Sequence, residues 1–135
     1  MKINYYPKLI FVYGTLRRGE CNHYYLRIVP RLAMHRTAPR YTLLHLGSYP
    51  AAVVEGNTAI VGELYPLNQT LLKRLDRLEA YPDEYIREPI PTSCGPAWMY
   101  VYRHPAVPDT PVITNGDWLL GKRLVQRRQF ADASG

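Results

Sequence analysis

The sequence predicts an α+β domain: a closed or nearly closed sheet of short strands with helices packed outside it. Three observations lead there. Short apolar runs bounded by Gly, Pro, Ser and Asn recur from residue 9 to residue 103. A single stretch, Thr70 to Ala80, carries a convincing helical period. No repeat, low-complexity segment or linker divides the 135 residues, a length suited to one hydrophobic core.

The elements follow in order. Leu9 to Tyr13 is apolar without alternation, the pattern of a strand buried on both faces. It runs directly into Gly14-Thr15-Leu16-Arg17-Arg18-Gly19. Residues 22–34 begin as a helical pattern that Pro30 interrupts. Tyr41 to Leu46 reads as a strand, Gly47 to Pro50 as a turn, and Ala51 to Val54 as a short strand ended by the turn Glu55-Gly56-Asn57. Ala59 to Tyr65 is a further strand, with Gly62 marking a bulge or a close backbone approach. The helix Thr70 to Ala80 can be capped by Asn68 or Thr70. Tyr85 to Ile90 and Ala97 to Arg103 complete the strands, the latter with Trp98, Tyr100 and Tyr102 on one face.

Composition narrows the function classes. An apolar fraction of 47% and a charged fraction of 21% describe an ordinary soluble domain. No run reaches the roughly 18 apolar residues of a membrane span, and the N-terminus makes a poor signal peptide, so a cytoplasmic protein without membrane contact is expected. Cys21 and Cys94 lie far apart, form no CxxC pattern, and are expected as free thiols. His23, His35, His45 and His104 are scattered, so no metal site and no cofactor is expected. The net charge is +6, but Lys122, Arg123, Arg127 and Arg128 against Asp132 place half of it in residues 121–135. That stretch reads as a basic, flexible tail after a domain spanning 1–120, and nucleic acid is not an expected partner. Oligomeric state is not encoded in these patterns.

Two features carry chemistry. On a helical wheel Leu71, Leu72, Leu75 and Leu78 form one stripe, and Glu79 falls at about 80°, inside that stripe. A carboxylate buried there, at the carbonyl end of a helix, has its pKa pushed up toward neutrality, where it can take and return a proton. The alternative stands beside it: the helix has ended, and Glu79 turns to solvent or pairs with a base such as Arg87. The loop at Gly14 offers backbone N–H groups that could cradle a carboxylate or oxyanion, with Thr15, Arg17 and Arg18 nearby. Its alternative is a plain turn in which Gly14 and Gly19 supply positive φ. It is neither a P-loop nor a dinucleotide fingerprint. Cys21 and His23, two apart, read as a chance pair rather than a nucleophile and its base.

Together, FVYGTLRRGE, GSYPAAV, AIVGELYPL, LDRLEAYPDEYIREPI, AWMYVYR and NGDWL resemble the γ-glutamylcyclotransferase-like (AIG2-like) family, best its bacterial branch, over roughly residues 9 to 120. The resemblance implies a compact, mostly antiparallel β-barrel with flanking helices. It implies substrate binding by the loop Tyr13, Gly14, Thr15 and Leu16, and acid/base catalysis by Glu79. Ala80 stands where the motif has glycine, and Glu84 is a second candidate, matching a glutamate kept by relatives that lack one at the Glu79 position.

The implied reaction is release of 5-oxoproline from a γ-glutamyl amine or γ-glutamyl amino acid, in which the substrate's own α-amine attacks its γ-carbonyl. The enzyme's part is to fold the substrate, shuttle a proton and stabilise an oxyanion. The rival reading is a non-catalytic domain that holds a small carboxylate in the same pocket.

Overall fold

A computed structural model describes residues 7–105 and 108–124. Seven strands form: β1 (Leu9–Val12), β2 (Ala33–Arg36), β3 (Tyr41–His45), β4 (Pro50–Thr58), β5 (Val61–Pro66), β6 (Tyr85–Ile90) and β7 (Ala97–Tyr102). The helix α1 (Gln69–Leu78) lies between β5 and β6, and one 3₁₀ turn spans His23–Leu26. Helical backbone also occupies 118–124.

The strands build two sheets rather than one closed one. Five are ordered β2-β5-β1-β7-β6, and β3 and β4 pair as a separate ribbon. The α+β class therefore holds, while closure into a barrel does not: β2 and β6 are edges of an open sheet. The five-stranded sheet is antiparallel except at its centre, where β1 runs parallel to β7.

The unbroken apolar run of β1 now has its reason. Phe11 packs on one face of the sheet with Leu43, Ile60, Leu64 and Met99. Ile10 and Val12 pack on the other, with Leu26, Tyr65, Leu71 and Leu75. A central strand between two cores needs apolar residues at every position. Gly62 on β5 is a close approach, as its position in a strand predicts: a Cβ there would strike the Val12 carbonyl oxygen and come within 2.7 Å of the Phe11 ring.

Three elements differ from the sequence expectation. Residues after Pro30 are not helical but enter β2, which pairs antiparallel with β5; this strand is specified by its partner and not by local pattern. The strand β4 continues past Val54 to Thr58, yet its pairing with β3 jumps from Thr42↔Val53 to Tyr41↔Thr58. The Glu55-Gly56-Asn57 turn signal survives as that excursion. Residues 121–124 continue the last helix, where Lys122 Nζ contacts Glu20 Oε2 at 2.8 Å. The remainder of the expected tail, 125–135, lies outside the described residues.

The helix α1 begins where Asn68 Oδ1 accepts the Leu71 N–H at 2.8 Å. It ends in a Schellman arrangement: Ala80 N–H bonds to the Arg77 carbonyl at 3.2 Å and Tyr81 N–H to the Asp76 carbonyl at 2.9 Å. Ala80 adopts φ +51° to make it. The turn that a glycine would make at this position is thus made by alanine. Among the described residues, no helix is long and apolar enough to cross a membrane.

Candidate active site

The end of α1, the loop after β1 and the turn before β4 meet around a cavity of about 280 Å³. The six residues proposed from sequence, Tyr13, Gly14, Thr15, Leu16, Glu79 and Glu84, all line it. Its volume lies near the small end of the range for ligand clefts.

Glu79 is the residue just past the last turn of α1, with φ −85° and ψ 3°. The helix has ended two residues earlier than the expected Ala80, yet Glu79 still lines the cavity beside Leu78 and does not pair with Arg87. Arg87 instead makes two bonds to Asp76, at 2.8 and 3.1 Å, and stacks between the Tyr81 and Trp98 rings. Among the described residues, the Glu79 carboxylate has no hydrogen-bond or ion-pair partner. Burial, and then the nearby Glu84 carboxylate, push its pKa up to about 7. Glu84 itself accepts a bond from Tyr49 OH at 3.2 Å.

The loop after β1 divides into a free half and a fastened half. The N–H groups of Gly14, Thr15 and Leu16 donate to no described residue, while the Gly14, Thr15 and Leu16 carbonyls accept from Arg17 N–H, Asn22 N–H and the His23 ring respectively. Asn22 Nδ2 also donates to Thr15 Oγ1 at 3.0 Å. Gly14 is not at positive φ; Gly19 is, at +89°. What requires glycine at 14 is Pro50, whose ring carbons would lie 2.7 and 2.8 Å from a Cβ there. The space a side chain would take is filled by protein and not reserved for a ligand.

One sequence expectation about this loop changes. Arg17 is not available to an anion in the cavity: it is 4% exposed, with Nε on Glu63 Oε2 and Nη1 on Asp117 Oδ1, both at 2.9 Å. The Tyr13 hydroxyl is likewise engaged, donating to the Tyr100 carbonyl at 2.8 Å and accepting from Ala52 N–H at 3.1 Å. Burial pushes that phenol far above its ordinary range.

Sequence reasoning missed several walls. Ser48, Tyr49 and Pro50 line the cavity, as do Tyr85 and Tyr100. Tyr85 OH holds the Pro50 carbonyl at 2.9 Å, and Tyr100 OH holds Asp76 at 2.6 Å. The available signal was GSYP, a turn with a proline followed by a buried strand. Cys21 also lines the cavity and is exposed, as is Cys94. Among the described residues, no three His, Cys, Asp or Glu side chains gather as a metal set.

The loop after β1 and the helix-end carboxylate thus share one small cavity on an α+β frame. The family model Gamma-glutamyl cyclotransferase, AIG2-like matches residues 10–120, and the chain belongs to that family. A Vibrio cholerae relative is 44% identical over 110 residues, 82% of this chain and 94% of its own. The Escherichia coli (strain K12) protein named Gamma-glutamylcyclotransferase family protein YtfP is 41% identical over 82% of this chain and 95% of its own. The solution structure of E. coli ytfP superposes with a TM-score of 0.67, at 40% identity, covering 82% of this chain and 96% of that one. An uncharacterized protein from Pyrococcus horikoshii superposes with a TM-score of 0.73 at 27% identity, covering 89% and 96%.

Proposed function

We propose that the cavity releases 5-oxoproline from a γ-glutamyl amine or γ-glutamyl amino acid. The observation that carries this reading is Glu79: a cavity carboxylate with no partner among the described residues and a pKa raised to about 7. Membership of the family supports it. The free N–H groups of Gly14, Thr15 and Leu16 are the donors for the substrate's α-carboxylate or for the oxyanion that develops on the γ-carbonyl. Glu79 removes a proton from the substrate ammonium. The freed α-amine attacks the γ-carbonyl carbon, the new C–N bond closes the five-membered ring, and the old amide C–N bond breaks. The proton held by Glu79 passes to the departing amine, and the second proton of the ring nitrogen follows it, so the amine leaves as its ammonium, the ring closes as a neutral lactam and Glu79 is again ionised. The nucleophile belongs to the substrate, so the protein's work is to fold it into reach.

Glu79→Gln keeps the shape and cannot shuttle a proton. Assayed as 5-oxoproline release from a panel of γ-glutamyl compounds, it should lose about 10²–10⁴ in turnover while still binding ligand. Full activity in Glu79→Gln with loss in Glu84→Gln would exchange the two roles. Binding without turnover in the parent protein would leave a carboxylate-holding domain.

A further inference from the structure

Behind the free amides lies a buried charge network that the proposed reaction does not use. Glu63, in the middle of β5, is 1% exposed. Its Oε1 accepts from Arg18 N–H at 2.9 Å and from Tyr65 OH at 2.7 Å; its Oε2 accepts from Arg17 Nε at 2.9 Å. Arg17 continues to Asp117, whose Oδ1 also accepts Leu119 N–H at 3.0 Å at the start of the last helix. Three positions after Arg17, Glu20 accepts from Trp118 Nε1 at 2.7 Å and from Lys122 Nζ. Residues 17, 18 and 20 are thus fastened to β5 and to 117–122, directly after the three residues whose amides are free.

Stability alone does not account for such a network. Desolvating an arginine and a glutamate offsets most of their attraction, and an apolar pair of similar volume is often as stable or more so. What apolar side chains cannot supply is an acceptor for Arg18 N–H, the main-chain bond that sets where the loop turns.

We propose that Arg17, Glu63 and Asp117 act as positioning residues, holding the loop so that the amides of Gly14, Thr15 and Leu16 stay aligned on the cavity. The consequence for turnover rests on the function proposed above; the consequence for loop order does not. A misplacement of about 1 Å at groups that bind the reacting centre costs on the order of 10² in rate.

The test is the double variant Arg17→Met/Glu63→Leu. It should remain folded, at a lower denaturant midpoint because Arg18 N–H and Tyr65 OH lose their acceptor, and lose about 10²-fold in kcat/KM for 5-oxoproline release. The pH at which the rate rises should stay where Glu79 sets it, because only the plateau depends on the loop. By ¹⁵N relaxation, the order parameters of Gly14, Thr15 and Leu16 should fall from about 0.85 toward 0.6. A folded double variant with unchanged order parameters and unchanged kcat/KM overturns the proposal. If the parent turns over no γ-glutamyl compound, the reading of the function fails, and the order parameters alone decide the positioning role. If the double variant does not fold, Glu63→Gln takes its place: it keeps an acceptor for Arg18 N–H but loses the charge that orients Arg17. It should lower kcat/KM by about tenfold and loosen the same three amides, and parental values for both would overturn the proposal.

Discussion

A carboxylate whose pKa sits near 7 makes opposite demands on stability and on turnover. In the unfolded chain Glu79 ionises near 4.5, and in the folded protein near 7. Between those values the folded state binds the extra proton, so the contribution of Glu79 to stability declines as pH rises through this window and is flat above it. Glu79→Gln should therefore match the parent's stability near pH 4.5 and exceed it at pH 8, by about 1–3 kcal/mol, as read from denaturant midpoints at the two pH values. The rate behaves inversely, because the base must be ionised to accept the ammonium proton: kcat/KM should rise through pH 7. Removing the neighbouring charge by Glu84→Gln should move that rise to lower pH. A rise that stays in place would mean burial alone sets the Glu79 value. Ala80, next along the chain, carries its own test. It holds φ +51° where a side chain is disfavoured, so Ala80→Gly should stabilise the protein by up to about 1 kcal/mol, less the entropy that glycine adds to the unfolded chain.

At the scale of elements, the loop after β1 and the start of β4 are fitted to each other. A Cβ at residue 14 would come within 2.7 Å of Pro50, so Gly14→Ala should push back the 47–50 turn that forms the opposite wall of the cavity, at a cost of about 1–3 kcal/mol. Pro50→Ala removes the ring carbons in the way but keeps the carbonyl that Tyr85 OH holds. The double variant should recover most of the loss, and simple additivity in a double-mutant cycle would show that the two residues do not interfere. This fit explains what was legible in the sequence. The elements β1, α1, β6 and β7 were legible in their own residues, β1 as an unbroken apolar run and α1 as a period of leucines, and Glu79 because it falls inside that leucine stripe. Strand β2 was not, since its register is imposed by β5, nor was the open sheet, because edges are decided by pairing between distant strands. Arg17 read as an anion ligand because sequence shows its charge and not its partners, Glu63 and Asp117, 46 and 100 positions away.

For the whole molecule, a buried carboxylate, Glu63, and a half-buried one, Glu79, oppose each other across the acid range. Burial raises the pKa of Glu63, but the bonds from Arg18 N–H, Tyr65 OH and Arg17 outweigh it, and the net value lies below the ordinary 4.5. A depressed folded-state pKa has the sign opposite to that of Glu79: its stabilisation is complete above the unfolded value and is lost as pH falls through the folded one. Loss of that charge loosens three distant parts of the chain together, because Glu63 on β5 holds the β1 loop and, through Arg17, residue 117. From these two groups the protein should be most stable at about pH 5, weakening toward neutrality through Glu79 and toward stronger acid through Glu63. Denaturant midpoints across pH separate the two limbs. Glu63→Gln should lower the maximum and flatten the acid limb while leaving the slope toward neutrality intact, and Glu79→Gln should flatten the slope toward neutrality while leaving the acid limb intact. Because the Glu63 and Arg17 side chains are only 2% and 5% exposed, added salt should barely change the acid limb in the parent. An acid limb that survives Glu63→Gln unchanged would assign acid unfolding to other carboxylates and remove Glu63 as the link between β5, the loop and the last helix.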